Sequence, residues 1–450
     1  MVWTVILILH YWTGNEALLN QRVCRIFVNE NFTNKKYIFY GLDGYLRRIN
    51  EVTSSVTVKH LSSFDIQKIP FPLPPLAEQT RIVAKLDAAF VHLETLKTSL
   101  ARIPELIKKF HQTVLTQAVM GKLTEEWREE NPDVESIEAL LKHISKIREE
   151  THQKLTVQAK ENEERSARKP NNINPKSIKD ENNLLPEKWA ILTFEDIAAV
   201  HSHAISSGPF GSALGTKDYR DEGIPVIRGQ NVQPGYFVSN NFVYVSLEKA
   251  TELKRSTALP GDIVIVAVGA GVGNAAIVPA SLKQGVLSQN CNKFSIDQQL
   301  VIPSYILYCL QISGLKDQMN EFTTDTARQF LSLTNLKKIQ FQIPPLQEQQ
   351  EIVSRVEALF AQADVLEAQY LSLKAKIDKL PQALLAKAFR GELVPQNPTD
   401  EPASVLLEKI KVATASVGKK SRKTGQTELA FMGSKNSRLF SLTLALCRPS

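Results

Sequence analysis

The sequence predicts an α+β protein in which units of mixed α/β structure are separated by two long helices of coiled-coil type. Three observations carry that expectation. The stretch Leu73–Phe90, LPPLAEQTRIVAKLDAAF, returns 270 residues later as Ile343–Phe360, IPPLQEQQEIVSRVEALF, with nine of eighteen positions identical. Both copies run on into apolar residues spaced alternately four and three apart, the period of a helical seam. Ahead of the second copy, residues 185–342 break into short apolar stretches punctuated by Gly and Pro, with the clearest strands at Val226–Arg228, Phe242–Val245 and Ile263–Val268.

The repeat keeps its register beyond the opening stretch. Upstream, Leu61-Ser62 pairs with Leu331-Ser332 and Phe71 with Phe341; downstream, Lys109, Ala118, Gly121 and Leu123 pair with Lys379, Ala388, Gly391 and Leu393. Each helix opens at Pro-Pro, tolerated only at a helix start, and closes at a glycine, Gly121 or Gly391. The first seam is Ile82, Leu86, Ala89, Leu93, Leu96, Leu100, Ile103, Ile107, Phe110 and Val114. The second is Ile352, Val356, Leu359, Ala363, Leu366, Tyr370, Leu373, Ile377, Leu380 and Leu384. At 1.5 Å per residue each helix would be roughly 65–70 Å long. Two seams of equal length and register favour pairing with each other, although two amphipathic helices in a bundle would show the same period. Pro104 and Pro381 should each kink a helix or leave a joint, and they fall at non-equivalent positions, so the two helices cannot be equally straight.

A length of 450 residues gives room for two or three domains. The net charge of +7 permits nucleic-acid binding without requiring it. Four cysteines, Cys24, Cys291, Cys309 and Cys447, show no zinc or disulfide-framework spacing, which suits a reducing cytoplasm. The apolar start Val2–Leu9 is too short to span a bilayer and reads as a strand. A cytoplasmic protein with no membrane association is expected.

In chain order the boundaries fall as follows. Residues 1–72 form a β-rich piece with short helical segments, and 73–123 the first long helix. Residues 124–184 are a charged helix (Ser136–Glu149) and a linker, 185–342 a folded α+β unit, 343–393 the second long helix, and 394–450 a short helix (Ala403–Lys411) with a basic tail that loses any pattern. Leu19-Asn20-Gln21 matches Leu287-Ser288-Gln289, and Tyr37-Ile38-Phe39-Tyr40 matches Tyr305-Ile306-Leu307-Tyr308, both at an offset of 268. The first piece is thus expected to be the C-terminal part of a unit like the second, shortened at its N-terminus.

No catalytic constellation is visible. Gly269-Ala270-Gly271-Val272-Gly273 lacks the GxGxxG spacing and reads as a tight turn; Pro132-Asp133-Val134-Glu135 reads as a solvated helix start rather than a nuclease carboxylate pair. There is no GxxxxGK[ST], methyltransferase tetrapeptide, HExxH or GxSxG. What recurs instead is a set of polar and basic groups in glycine-punctuated loops of the second unit. Ser206–Ser212 leads to Lys217, Tyr219 and Arg220; a short strand ends at Arg228, Gln230 and Asn231; Gln289, Asn290, Arg328 and Gln329 follow. Arg, Asn and Gln read guanine and adenine edges bidentately, and Lys and Ser hold phosphates, so this set is the expected DNA-binding surface. Any loop carries such residues; it is their number in one unit, beside a spacer and a second similar unit, that gives the pattern weight.

The twin PPLxEQ-x-x-IV openings at Pro74–Val83 and Pro344–Val353 resemble the repeats of type I restriction–modification specificity subunits. So do the closing Gly121-Lys122-Leu123-Thr124 and Gly391-Glu392-Leu393, the Leu185–Trp189 entry and Gly223–Asn231. The resemblance covers about residues 15–410 and implies two target-recognition domains held apart by two long antiparallel helices. It implies a non-catalytic subunit in which each domain reads one half of a split target in double-stranded DNA and the helices set the gap. It also implies two methyltransferase (modification) subunits as partners and, through them, restriction/translocase subunits. No cofactor would be bound directly; S-adenosylmethionine, ATP and Mg would belong to those partners. Helix faces outside the seam would dock partner helices. Glu78-Gln79 and Glu348-Gln349 are candidate docking residues, or equally N-terminal charges that suit the helix dipole. In the shortened first domain, Lys59 and His60, aligned with Gln329 and Phe330, are the remaining candidate DNA contacts. Against the reading of a recognition subunit stand a scaffold that assembles methyltransferase subunits without reading DNA, and an enzyme with a novel site, which the absent S-adenosylmethionine and ATP motifs disfavour.

Overall fold

The structure is a computed structural model. It describes residues 6–11, 23–52, 69–162, 165–170, 173, 186–269, 271–312, 331–418, 431–433, 436–438 and 440–447. The chain opens with strands β1 (Ile6–Leu9) and β2 (Val23–Val28) and helix α1 (Lys35–Val52). The first repeat forms α2 (Leu76–Leu100) and α3 (Ile103–Val119), followed later by α4 (Ile137–Glu161). Next come the strands β3 (Ala190–Thr193), β4 (Ile205–Ser207), β5 (Ile224–Ile227), β6 (Val232–Gln233), β7 (Tyr236–Phe237), β8 (Val243–Val245) and β9 (Thr257–Ala258). They are followed by β10 (Ile263–Val266), β11 (Ala275–Ile277), β12 (Gly285–Leu287), β13 (Cys291–Phe294), helix α5 (Pro303–Gln311) and β14 (Gln340–Ile343). The second repeat is one helix, α6 (Leu346–Phe389), followed by α7 (Ala403–Gly418), β15 (Phe431–Gly433), β16 (Asn436–Arg438) and β17 (Phe440–Cys447).

Two compact units result: Met1–Ile103 with Ala368–Ser450, and Pro104–Glu367. In the first, β1, β17 and β2 form an antiparallel sheet in that order. Its core joins Tyr37, Ile38, Leu42 and Leu46 of α1 to Ile82, Val83 and Leu86 at the start of α2 and to Leu385 and Ala388 at the end of α6. Further along α2, Leu93 and Leu100 meet Ile377, so α2 and this part of α6 run antiparallel. The 18-residue α1 corrects the expectation of short helical pieces here. Its start is fixed by the Asn34 side chain, which accepts from the backbone N–H groups of Lys36 and Tyr37.

The second unit holds two four-stranded sheets, β11-β10-β13-β4 and β8-β5-β12-β9, and the antiparallel pair β14-β3. All members of the first sheet pair antiparallel, whereas β12 and β5 run parallel. The three strands read from the sequence are present, trimmed to β5, β8 and β10. The core joins Val114, Leu115, Ala118 and Val119 of α3 to Ile352, Val353 and Val356 of α6 and to Tyr305 and Ile306 of α5. These are the residues of the first unit's core shifted by 268 or 270, so the repeat does the same work twice: each unit sits on the start of one long helix and the end of another.

The prolines act differently, as their positions dictate. The first long helix breaks at Ala101–Arg102 and restarts at Ile103, leaving Pro104 in a first turn, where its missing N–H is not needed. Pro381 lies inside α6. Gly121 and Gly391 end the helices at φ +73° and +75°, the left-handed conformation that glycine adopts without penalty. The charged helix and the C-terminal helix both run further than expected, to Glu161 and Gly418.

The heptad seam is only half used. One row, Leu86, Leu93, Leu100 and Val114 with Val356, Ala363 and Ile377, is buried. The other leaves Leu96 (48 % exposed) open on α2, Phe110 on α3, and Leu366 (57 %), Leu373 and Leu380 on α6.

Candidate nucleic-acid interface

The polar loops of the second unit gather where the parallel pair β5–β12 ends. Ile227 stands opposite Leu287, and the Ser288 N–H donates to Ile227 O, so Arg228 and Gln289 leave the sheet side by side. Gly208 packs against the same spot, since a Cβ there would lie 1.9 Å from Ser288 O. The Ala267 N–H, just beyond β10, donates to Asn290 O and brings in the Gly269–Gly273 turn. That turn links the antiparallel strands β10 and β11, with Gly269, Gly271 and Gly273 all at positive φ, as the sequence reading expected.

Within this end, Arg228 and Gln230 both donate to Asn241 O, at 2.7 and 3.1 Å. Gln230, Gln289 and Asn290 are exposed and Arg228 half-buried. Asn231 is different. It is fully buried, accepts from Arg228 N, and donates to Val238 O and Asn240 O, so it cannot also read a base. Its expected role as a DNA contact is corrected to that of a loop staple that presents Arg228 and Gln230.

Lys217, Tyr219 and Arg220 lie apart, along the outer edge of β8, where Arg220 bridges Tyr244. Arg220 donates to Lys217 O and Tyr219 O, and Tyr219 packs against the Leu214–Val226–Val245 core, leaving Lys217 and Arg220 exposed. Arg328, Gln329, Lys59 and His60 lie outside the described residues. Phe210, 70 % exposed in the loop after Gly208, was not among the sequence candidates; an aromatic ring after Gly-Pro was the available signal. Another feature the sequence did not suggest is a cationic neighbourhood around His203. Burial first, then Arg165, Arg255, Lys293 and Lys254, hold its imidazole below the ordinary histidine range.

The four residues expected to dock partners are inside. Gln349 is fully buried: its Oε1 accepts from Ile302 N (2.8 Å) and its Nε2 donates to Leu300 O and Pro344 O. Gln79 repeats this, accepting from Asn34 N and donating to Pro74 O. Glu348, 1 % exposed, accepts from Arg128 Nη1 (2.6 Å), Thr124 Oγ1 (2.7 Å) and Trp189 Nε1 (2.8 Å). Glu78 is buried as well. Gln79, Glu348 and Gln349 tie a globular unit to its helix start, and Glu78 is buried beside them, which corrects the assignment of all four to docking. Beside Glu348 opens a cleft of about 560 Å³ lined in part by Trp127, Arg128 and Lys188. Lys188 donates into the Pro132–Glu135 loop, whose acidic pair, Asp133 and Glu135, is held on no strand. Among the described residues no group of three His, Cys, Asp or Glu could hold a metal ion, and no helix is long and apolar enough to cross a membrane.

Two units, each with a sheet set on the ends of long helices, the second presenting exposed polar loops at one sheet end, define an α+β scaffold built on a repeated helix. The match to known proteins is specific. Residues 7–105 and 186–375 match the type I restriction modification DNA specificity domain. The chain is 34 % identical to the type I restriction enzyme EcoBI specificity subunit of Escherichia coli, covering 91 % of this chain and 78 % of that one. It is 28 % identical to the EcoKI specificity subunit of E. coli strain K12, covering 84 % and 70 %. A solved chain described as the structural basis of complex assembly and conformational transition of the type I R-M system superimposes with a TM-score of 0.52 at 19 % identity, over 81 % of this chain and 73 % of that one, a likeness of fold. The chain belongs to the family of type I restriction–modification specificity subunits, a family of non-catalytic recognition proteins.

Proposed function

We propose that the chain is the DNA sequence-recognition subunit of a type I restriction–modification complex, and that the β5–β12 loop end of the second unit reads one half of a bipartite target. The observation that carries this is the convergence of Arg228, Gln230, Gln289 and Asn290 at one sheet end, with Asn231 buried beneath to fix the loop. Pre-organised Arg and Gln donors suit the edges of guanine and adenine. In this reading residues 1–72 and 185–342 are the recognition domains, 73–123 and 343–393 the spacers. The exposed apolar residues of the helices, Leu96, Leu373 and Leu380 in the first unit and Phe110 and Leu366 in the second, receive the helices of two modification subunits, through which restriction/translocase subunits join. S-adenosylmethionine, ATP and Mg²⁺ then reside on those partners, and the complex works in the cytoplasm.

The test is co-expression with a modification subunit and mapping of methylated sites across host DNA. A split motif supports reading by both units, a half-motif assigns recognition to the second alone, and a complex that modifies nothing leaves a scaffold that does not read DNA. Arg228→Ala or Gln230→Ala should cost about 1–3 kcal/mol of binding to one half-site, measured by titration with duplexes varied there. Unchanged preference in both variants would remove them from the reading set. Leu373→Glu with Leu380→Glu should shift stability by no more than about 0.5 kcal/mol, because both are exposed, yet abolish co-purification with the modification subunit.

A further inference from the structure

The two units build the same sheet from different parts of the chain. At the offset of 268, β1 corresponds to β11, β2 to β13 and α1 to α5, and Tyr37 and Tyr305 confirm the match by donating to Pro72 O and Gln342 O. In the second unit the strand between β11 and β13 is β10, which ends with eight residues left before β11, antiparallel to both and buried at every position. In the first unit the strand between β1 and β2 is β17, the C-terminal Phe440–Cys447, also antiparallel to both. The registers agree on one side: Ile277, Ala276 and Ala275 face Ile263, Val264 and Ile265, while their counterparts Leu9, Ile8 and Leu7 face Leu444, Ala445 and Leu446. On the other side β17 is displaced by two residues, Leu444 facing Cys24 where Ile263 faces Phe294, with an irregularity at Ser441. A shift of two preserves which face each residue presents.

We infer that the C-terminal segment is a donor strand: Phe440–Cys447 fills in cis the slot between β1 and β2 and completes the sheet of the first unit, as β10 does in the second. Without it β1 and β2 would be two separated edges with unpaired N–H and C=O groups, an arrangement that proteins avoid. The segment FSLTLALC has the chemistry the slot needs. It alternates Phe, Leu, Leu, Leu with Ser, Thr, Ala, Cys and contains no Pro, Gly or charge. This inference does not depend on the DNA-reading assignment.

The register supplies its own test. In the full chain carrying Leu444→Cys and Cys447→Ser, mild diamide oxidation should join position 444 to native Cys24 within one molecule, read by mass spectrometry of the cross-linked peptide. The same bond between two chains would overturn the cis assignment in favour of strand exchange, and no bond to Cys24 would overturn the donor strand itself. Hydrogen exchange gives a second readout. Leu444→Pro, which removes a ladder N–H from an inner strand, should abolish protection of residues 6–9 and 23–28 and leave 263–266 protected as in the parent. Equal protection of 6–9 and 23–28 in parent and variant would refute the proposal.

Discussion

The two units use one sequence repeat but hold it with different partners, and the contrast separates what the repeat supplies from what each unit adds. Both keep the glutamine staple: Gln79 and Gln349 each clamp the backbone just ahead of a core helix, α1 or α5, and the Pro-Pro entry of their own. These bonds go to backbone, which any sequence supplies, so the staple survives divergence around it. The neighbouring carboxylates differ. Glu348 is surrounded by Thr124, Arg128 and Trp189, whereas the positions equivalent to Thr124 and Arg128 are Val394 and Pro398, which have no side-chain donor. Glu78 lies instead near Tyr37 and Arg81.

The largest effect that tests this contrast is Glu348→Ala. It leaves the Arg128 guanidinium and the Trp189 N–H without their acceptor and should destabilise the second unit by about 3–5 kcal/mol. Glu78→Ala should cost the first unit about 1 kcal/mol, the typical value for a single substitution. Urea unfolding followed by segment-resolved hydrogen exchange assigns each loss to its unit. Equal losses would mean that the three partners of Glu348 contribute little beyond its burial.

Gln349→Leu and Gln79→Leu sharpen the shared part. The first leaves Ile302 N, Leu300 O and Pro344 O without partners and should cost about 2–3 kcal/mol; the second leaves Asn34 N and Pro74 O and should cost about 1–2 kcal/mol. If either variant were as stable as the parent, water would be replacing the staple and the site would not be closed.

Much of this was legible in the sequence. The doubled helices, their glycine ends and the glycine turn before β11 all follow from local period and turn chemistry. Three things were not. Periodicity shows that a row is apolar but not what covers it, so the open row at Leu96, Leu366 and Leu373 looked like seam. An Asn or Gln has the same donors whether it faces DNA or backbone, so Asn231, Gln79 and Gln349 were read as binding residues although they are buried. Phe440–Cys447 alternates as a strand should, but its partners lie more than 400 residues away and no local signal names them.

The smallest predicted effect concerns acid. In the first unit Asp87 is partly desolvated, which alone would raise its pKa, but hydrogen bonds from Lys36 Nζ (2.6 Å) and from the Tyr40 hydroxyl, with the Lys36 charge, hold it below the usual carboxylate range. The equivalent tyrosine of the second unit, Tyr308, is pushed up to about 12, first by burial and then by the charge of Glu357, as burial and Asp87 raise Tyr40 here. A carboxylate depressed by folding contributes stability that is present above its unfolded pKa of about 3.9 and is lost as pH falls through the lower folded value. Asp400, lowered by its hydrogen bond from Arg81, has the same sign and also lies in the first unit. Acidification from pH 5 towards pH 2 should therefore weaken the first unit through these groups. Because Lys36 is nearly half exposed, Asp87→Asn should cost no more than about 1 kcal/mol at pH 7. The difference between parent and variant should shrink as pH falls through the lowered folded pKa and Asp87 itself becomes protonated. Hydrogen exchange of residues 35–52 across that range measures it, and a difference that stayed constant with pH would show that the Asp87 charge does not stabilise the fold.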